Sequence, residues 1–363
     1  DYSSDELLSL LKSEGTYNAS TDCERVNYWF KTISDNAELA IKLVCNIALN
    51  NLSKVSEEEF QIEKKVVFNE AKRYADDDAT KFWFDSSAII RGYNIEDTII
   101  GVPETIDTFT LEDSKRIKDI LMQGEHIFNI SYDSDTISQE EIINLIEEQI
   151  KRHSILNITD KVSNEVYNSF IKYPVEGNFI IESEAAQSMQ LTLFDVVTNY
   201  VTASACNNYI ANYAKDSLED VIRERAGLTY SLSLYSSYLN DKDYTFFSTD
   251  VSEGDEELLF KLFGESLTSS IENWTTEEHE RYLKVSNLKR KMSLVNLSNY
   301  EYWFTLAVWY PEITYRLKSI ISKDLDNGYI ALDNLYRTKE KMEIYMKRLL
   351  KEFKEKNYNR GNK

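Results

Sequence analysis

The sequence predicts an α+β fold made of two related domains, and three observations predict it. Amphipathic helical patterns alternate with short aromatic and β-branched runs along the chain. Two pieces of the first half recur in order in the second. WFKTIS at Trp29 leads into the helix pattern NAELAIKLVCNIAL, and FFSTDVS at Phe246 leads into DEELLFKLFGESL. The next helix start repeats as VSEEEF and TTEEHE, with Ser56 matched to Thr276. Two ordered matches at nearly one spacing mark a duplicated unit. Finally, 363 residues at 42% hydrophobic content are enough for two ordinary domains, each with its own core.

The elements follow in order. Asp5 to Lys12 reads as a short helix opened by a Ser3/Glu6 capping box. Thr16 to Ile33 is extended, with Val26, Tyr28 and Phe30 alternating against Asn27, Trp29 and Lys31. Ala37 to Leu49 is amphipathic, with Ala40, Leu43, Val44 and Ile47 on one side. A helix from Ser56 to Tyr74 starts with a second capping box, Ser56 and Glu59. Helices near Ala79 to Ile90 and Leu111 to Leu121, a strand at Ile127 to Tyr132 and a helix at Gln139 to Lys151 complete the first half. The polar stretch near Ile155 to Gly177 places the boundary: an N-terminal domain 1–155, a linker 156–177 and a C-terminal domain 178–363. Strands at Asn178 to Glu184 and Ser188 to Phe194 precede a long helix from Val196 through Ala214. A turn at Gly227 leads to strands Leu228 to Tyr238 and Tyr244 to Val251. Helices at Glu256 to Glu272 and Glu277 to Val295 follow, and the remainder reads as mostly helical, with a fraying basic tail.

Charge and composition exclude several functions. A net charge of −21 argues against nucleic acid, which needs a basic face, and against an anionic membrane surface, and permits basic peptide partners. No apolar run approaches the ~20 residues of a membrane-spanning helix. Cys23, Cys45 and Cys206 are odd in number and far apart, which fits a reducing compartment and excludes a disulfide framework. N-x-S/T sequons, beginning at Asn18 and Asn51, are expected by chance in a chain so rich in Asn and Ser. Few prolines and a surplus of Asn, Lys, Ile and Tyr suggest a low-GC bacterium, so the expected location is the bacterial cytoplasm.

The Ser56 to Tyr74 helix carries the most informative residues. Ile62, Val66, Val67, Phe60 and Tyr74 make one broad apolar face. Glu63 and Glu70, seven apart, point the same way and fall between Val66 and Val67 within it. Two carboxylates on a buried face want a cation: a metal, with one Glu as ligand and the other supporting it, or else Lys or Arg along a polar seam. With Ser56 aligned on Thr276, their counterparts are Leu283 and Arg290, so the second copy has no such pair. Restriction to one half favours a site over a scaffold feature.

These residues resemble the inverzincin metallopeptidases: pitrilysin, the insulin-degrading enzyme, the mitochondrial processing peptidase and smaller bacterial relatives. The matching pieces are ELLSLLKSEGTYNAST at Glu6, EKKVVFNEAKRYADD at Glu63, IIGVPETIDTFTLED at Ile99 and LEDVIRERAGLTYSLSLYSSY at Leu218. Four pieces in order cover nearly the whole chain. The resemblance implies two homologous domains, each an antiparallel-rich sheet flanked by helices, facing across a peptide-binding cavity. It implies that Glu70 is a zinc ligand and Glu63 the supporting glutamate. It implies that Asn18, Ala19 and Ser20, after Tyr17, form an edge strand to which substrate adds, since an edge offers unpaired backbone groups. Arg223 and Tyr230 match the pair that reaches the substrate carbonyl and the developing oxyanion.

One departure is large. The family's H-x-x-E-H motif supplies two His ligands and the Glu base. It is expected roughly 75 residues before Glu70, just upstream of Asp1. The histidines present, His126, His153 and His279, are scattered without metal spacing and are expected to be exposed. The leading expectation is therefore a zinc endopeptidase for small or unfolded peptides whose natural chain carries the motif upstream. The alternatives are an inactive subunit, which binds peptide or completes a heterodimeric peptidase by lending Arg223 and Tyr230, and a metal-free binder of a modified peptide's leader. Small relatives commonly pair, so a homodimer or a heterodimer with a related subunit is expected.

Overall fold

The computed structural model describes residues 4–21, 26–91, 99–122, 126–153, 188–194, 199–239, 242–293 and 334–358. The expected linker 156–177, the strand at Asn178 to Glu184 and most of the helical remainder before residue 334 lie outside the described residues. The chain forms two compact units, residues 1–77 with 93–172 and residues 78–92 with 173–363.

In the first unit, helix α1 (Ser4–Glu14) leads through Gly15 into strand β1 (Thr16–Thr21). The single extended run expected from Thr16 to Ile33 is a hairpin: β1 pairs antiparallel with β2 (Val26–Lys31), in register from Thr16 opposite Lys31 to Thr21 opposite Val26. Gly15 is required at its root, since a Cβ there would lie 2.2 Å from the Lys31 carbonyl oxygen. Helix α2 (Ala37–Leu49) buries Ile41, Leu43, Cys45 and Leu49. It packs on α7 (Gln139–Arg152), with Ile142, Leu145 and Ile146 against it. Between them along the chain come α3 (Glu57–Ala75), α5 (Pro103–Thr108) and α6 (Leu111–Met122). Helix α5 is absent from the expected elements, although proline at its first position after a left-handed glycine, Gly101, is a helix-start signal. Residues 127–132 form no ladder among the described residues, against the expected strand. Phe128 and Ile130 still point into the α2/α7 core. Alternation records which side chains are buried, and does not supply a partner strand.

Capping chemistry sets the helix starts. Ser56 accepts from the Glu59 N–H, and Glu59 reaches back to the Ser56 N–H at 2.8 Å. Ser138 and Glu141 repeat the arrangement on α7. At the other end of α2, the nearly buried Lys118 of α6 donates to the Ala48 carbonyl at 2.8 Å, with its ammonium 5.5 Å from the Tyr28 ring. These are the orphan carbonyls and negative dipole end of α2.

The second unit takes helix α4 (Asp78–Arg91) from the first half of the chain. Its sheet has the order β3 (Ser188–Phe194), β5 (Lys242–Val251), β4 (Leu232–Leu239), all antiparallel. Helix α8 (Tyr200–Asn212), a π-helical turn at Glu219–Arg225, and helices α9 (Glu256–Glu272), α10 (Thr276–Ser293) and α11 (Lys339–Tyr358) pack around it. Tyr209, Phe247, Phe263, Trp274, Tyr282 and Tyr345 are core members. No helix among the described residues is long and apolar enough to cross a membrane.

The duplication is visible as β1–β2–α2–α3 against β4–β5–α9–α10. The caps correct its spacing. Thr275, not Thr276, accepts the Glu278 N–H as Ser56 accepts that of Glu59. Ser56 therefore corresponds to Thr275, and the repeat is shorter by one position than the letters suggest.

Two measurements check these assignments. Ser56→Ala should destabilise by about 1 kcal/mol in denaturant unfolding, the usual cost of a lost N-cap. Burial pushes the Lys118 ammonium below its ordinary 10.5. Between its folded pKa and 10.5 the unfolded chain binds more protons, so stability rises with pH there and the desolvation cost is felt in full below that window. Lys118→Met should remove this alkaline rise when unfolding is measured across pH.

Candidate functional site

Helix α3 is packed on one side and open on the other. Phe60, Lys64, Phe68, Ala71 and Tyr74 are fully or partly buried, and the Lys64 ammonium donates to the Asp107 and Phe109 carbonyls at the end of α5. The face expected to be buried is open instead: Ile62 is 58%, Val66 54% and Val67 39% exposed. Glu63 is exposed with it and Glu70 is half-buried, so the expected desolvation of both carboxylates does not occur in these residues. Periodicity fixes which residues share a face but not whether anything covers it. The Tyr74 hydroxyl donates to Glu70 Oε1 at 3.0 Å, and the Arg73 guanidinium lies 5.0 Å over that ring. Tyr74 is not among the expected site residues, although its i+4 spacing from Glu70 is a usable signal. Seven residues separate the two carboxylates by about 10.5 Å of helix rise, so one cation would be held by one of them and oriented by the other.

With the corrected spacing, the counterparts of Glu63 and Glu70 are Tyr282 and Lys289. Tyr282 is 1% exposed, and its hydroxyl donates to the Ala205 carbonyl of α8 at 2.8 Å. Helix α8 thus covers in the second unit the side that is open on α3 in the first.

Strand β1 carries Asn18, Ala19 and Ser20, all exposed. Its inner neighbour is β2, and its outer edge has no strand among the described residues. Asn18 Oδ1 accepts the Ala19 N–H at 2.8 Å, a local cap on one edge group. A cleft of about 500 Å³ at the root of the hairpin is lined by Ser13, Glu14, Lys31 and Asn36, and includes neither glutamate of α3.

In the second unit the structure brings Arg223 and Tyr230 together. The guanidinium lies 5.5 Å over the phenol ring, and Tyr230 is 85% exposed. Arg223 donates to Glu219 Oε1 at 2.8 Å and lies 3.5 Å from Glu224. Gly227, at φ +63°, turns the chain between them, and its N–H donates to the Arg223 carbonyl.

The three histidines are half-buried rather than exposed. His126 Nε2 lies 3.1 Å from the Met122 carbonyl oxygen and His279 Nε2 2.7 Å from that of Arg337. Burial and the neighbouring Arg152 charge hold His153 below the ordinary histidine pKa. Among the described residues no three His, Cys, Asp or Glu side chains come together as a metal site.

No family model matches the chain. It is 22% identical over 277 residues to an uncharacterized zinc protease of Rickettsia felis, across 73% of this chain and 63% of that protein. The chain thus spans less than two thirds of the length of that curated relative. In three dimensions it is similar to a protease from Helicobacter pylori, with TM-score 0.66 and 16% identity over 94% of this chain and 81% of the other. It is also similar to a peptidase M16 inactive domain from Pseudomonas fluorescens, with TM-score 0.65 and 14% identity over 95% and 80%. The chain has the fold of these peptidase structures. Its α+β architecture is consistent with theirs. The zinc in the relative's name is only partly accommodated. A catalytic zinc needs three protein ligands; around Glu70 the described residues offer one half-buried carboxylate, whose Oε1 accepts the Tyr74 hydroxyl.

If α3 is open as described, Val66→Gln in these 363 residues should change unfolding free energy by less than about 0.5 kcal/mol. Leu43→Ala, in the α2 core, should cost about 2–5 kcal/mol in the same measurement.

Proposed function

We propose that this chain works in a zinc-dependent endopeptidase that cuts small or unfolded peptides. The observation that carries the reading is the open side of α3, which bears Glu63 and Glu70 while α8 closes the equivalent side of α10 over Tyr282. The missing cover would be a helix bearing H-x-x-E-H from sequence outside these 363 residues, with two histidines joining Glu70 on the metal and Glu63 orienting the site. When bound, the zinc supplies a Lewis acid and an acidified water.

The chain's own residues would do the rest. In the second unit β3 lies beside β5 and, among the described residues, leaves β4 outermost. The same plan in the first unit would add a strand beside β2 and leave β1 as the edge. A peptide adding there would displace Asn18 Oδ1 from the Ala19 N–H and bond to the outward-facing main-chain groups of the Asn18, Ala19 and Ser20 segment, whatever its side chains. Arg223 and Tyr230 would stabilise the tetrahedral oxyanion with a cation and a phenol. Such a protein would act as a homodimer or with a related subunit in the bacterial cytoplasm. Its acidic surface would favour basic peptides over nucleic acid or membranes.

A second reading is an inactive M16-like subunit, favoured by the Pseudomonas fluorescens neighbour described as an inactive domain. Elemental analysis of the longest naturally expressed form separates the two. The first reading expects about one zinc per chain, lost together with peptide cleavage in Glu70→Gln while the fold, read by circular dichroism, stays intact. Absence of zinc, with cleavage appearing only on mixing with a relative that carries the motif, would establish the second.

A further inference from the structure

The Arg223–Tyr230 pair projects from a wide turn, and the residues that hold that turn are not themselves part of the pair. Glu219–Arg225 winds in the π register. In an α-helix, residues five apart point roughly 140° away from each other; closing the turn at i→i+5 brings them to within roughly 50°, as near as i and i+4 in an α-helix. Arg225 and Asp220 are five apart, and their side chains are bonded, a contact that the α register would break. Arg225 also donates to Asp216 Oδ1 at 3.0 Å. Asp216 is fixed in turn by α9: Ser269 Oγ donates to its Oδ2 at 2.7 Å and Ser266 Oγ to its carbonyl at 2.6 Å. The Ser269 hydrogen bond and then Arg225 hold the Asp216 carboxyl below its ordinary pKa, so the clasp is ionised at neutral pH.

Tyr230 is held separately. The Thr229 hydroxyl donates to the Ser231 carbonyl at 2.8 Å and accepts the Ser231 N–H at 3.2 Å, and Thr249 of β5 donates to the same carbonyl at 3.0 Å. The residues on either side of Tyr230 are thereby bonded inward while its ring faces out.

We propose that Arg225, through Asp216 and Asp220, is a positioning residue that keeps the turn in the π register and so aims Arg223 over Tyr230. The proposal rests on the reading that Arg223 and Tyr230 touch the peptide. A relaxed α register would rotate Arg223 relative to the fixed Tyr230 by tens of degrees, enough to lose the 5.5 Å stacking.

The test uses the longest natural chain, an internally quenched unstructured peptide, and side-chain NMR with labelled arginine and tyrosine. Arg225→Met should lower kcat by about ten- to a hundredfold with KM within a few-fold, the pattern of a misplaced transition-state group. It should also remove the nuclear Overhauser contacts between Arg223 and Tyr230. Asp220→Asn should do the same more weakly, and Arg225→Lys, which keeps one charged contact, should recover most of the loss. Contacts and kcat kept in Arg225→Met, while Arg223→Met loses kcat, would overturn the positioning role and leave the reading intact. If Arg223→Met changes neither kcat nor KM, the reading has failed and the proposal falls with it. Should Arg225→Met not fold, Asp220→Asn carries the same two readouts.

Discussion

Helices α3 and α10 each have a second side beyond the one they pack with, and the two units of this chain treat that side differently. In the second, Tyr282 of α10 is buried against α8, with its ring 5.4 Å from Tyr209 and its hydroxyl bonded to the Ala205 carbonyl. A buried phenol satisfied in this way adds aromatic packing without an unpaired polar group. At the same position of the first unit stands Glu63, on an open side flanked by Val66 and Val67. An ionised carboxylate cannot take the place of a buried tyrosine unless a cation or a polar partner comes with the cover. One position in a repeated helix therefore separates a side closed over a buried tyrosine from a side left open around a glutamate.

The rest of the framework shows where an acidic chain uses its cations. Lys64 bonds the carbonyls at the end of α5, Lys118 those at the end of α2, and Arg281 the Tyr213 carbonyl that follows α8. Each places a positive charge at the negative end of a helix dipole and satisfies carbonyls that the helix leaves orphaned. The interior of the second unit adds a buried polar chain, Ser236 to Asn207 to Tyr345. With each member paired, such a chain fixes one register of sheet against helix at little net cost.

Much of this was legible in the residues. The α2 and α9 boundaries, the capping box of α3 and the strand at Ser188–Phe194 follow from periodicity and cap chemistry, which are local. The Arg223–Tyr230 spacing was legible as a motif, but their stacking was not, because it depends on a π turn and a left-handed Gly227 between them. The Asp220–Arg225 bond is unreadable at helical spacing, since five residues is the wrong interval for an α-helix. The one-position correction to the repeat needed the hydrogen bond of Thr275, because Thr275 and Thr276 are equivalent letters in a sequence.

The sequence by itself determined the class of fold, the duplication and the placing of Glu63 and Glu70 on one side of α3, because helix period and capping are properties of neighbours along the chain. Only the tertiary structure decided that this side is open, that residues 127–132 find no strand to pair with among those described, and that Arg223 lies over Tyr230. Exposure and pairing belong to whatever element arrives from elsewhere in the chain, and no local pattern states whether it arrives.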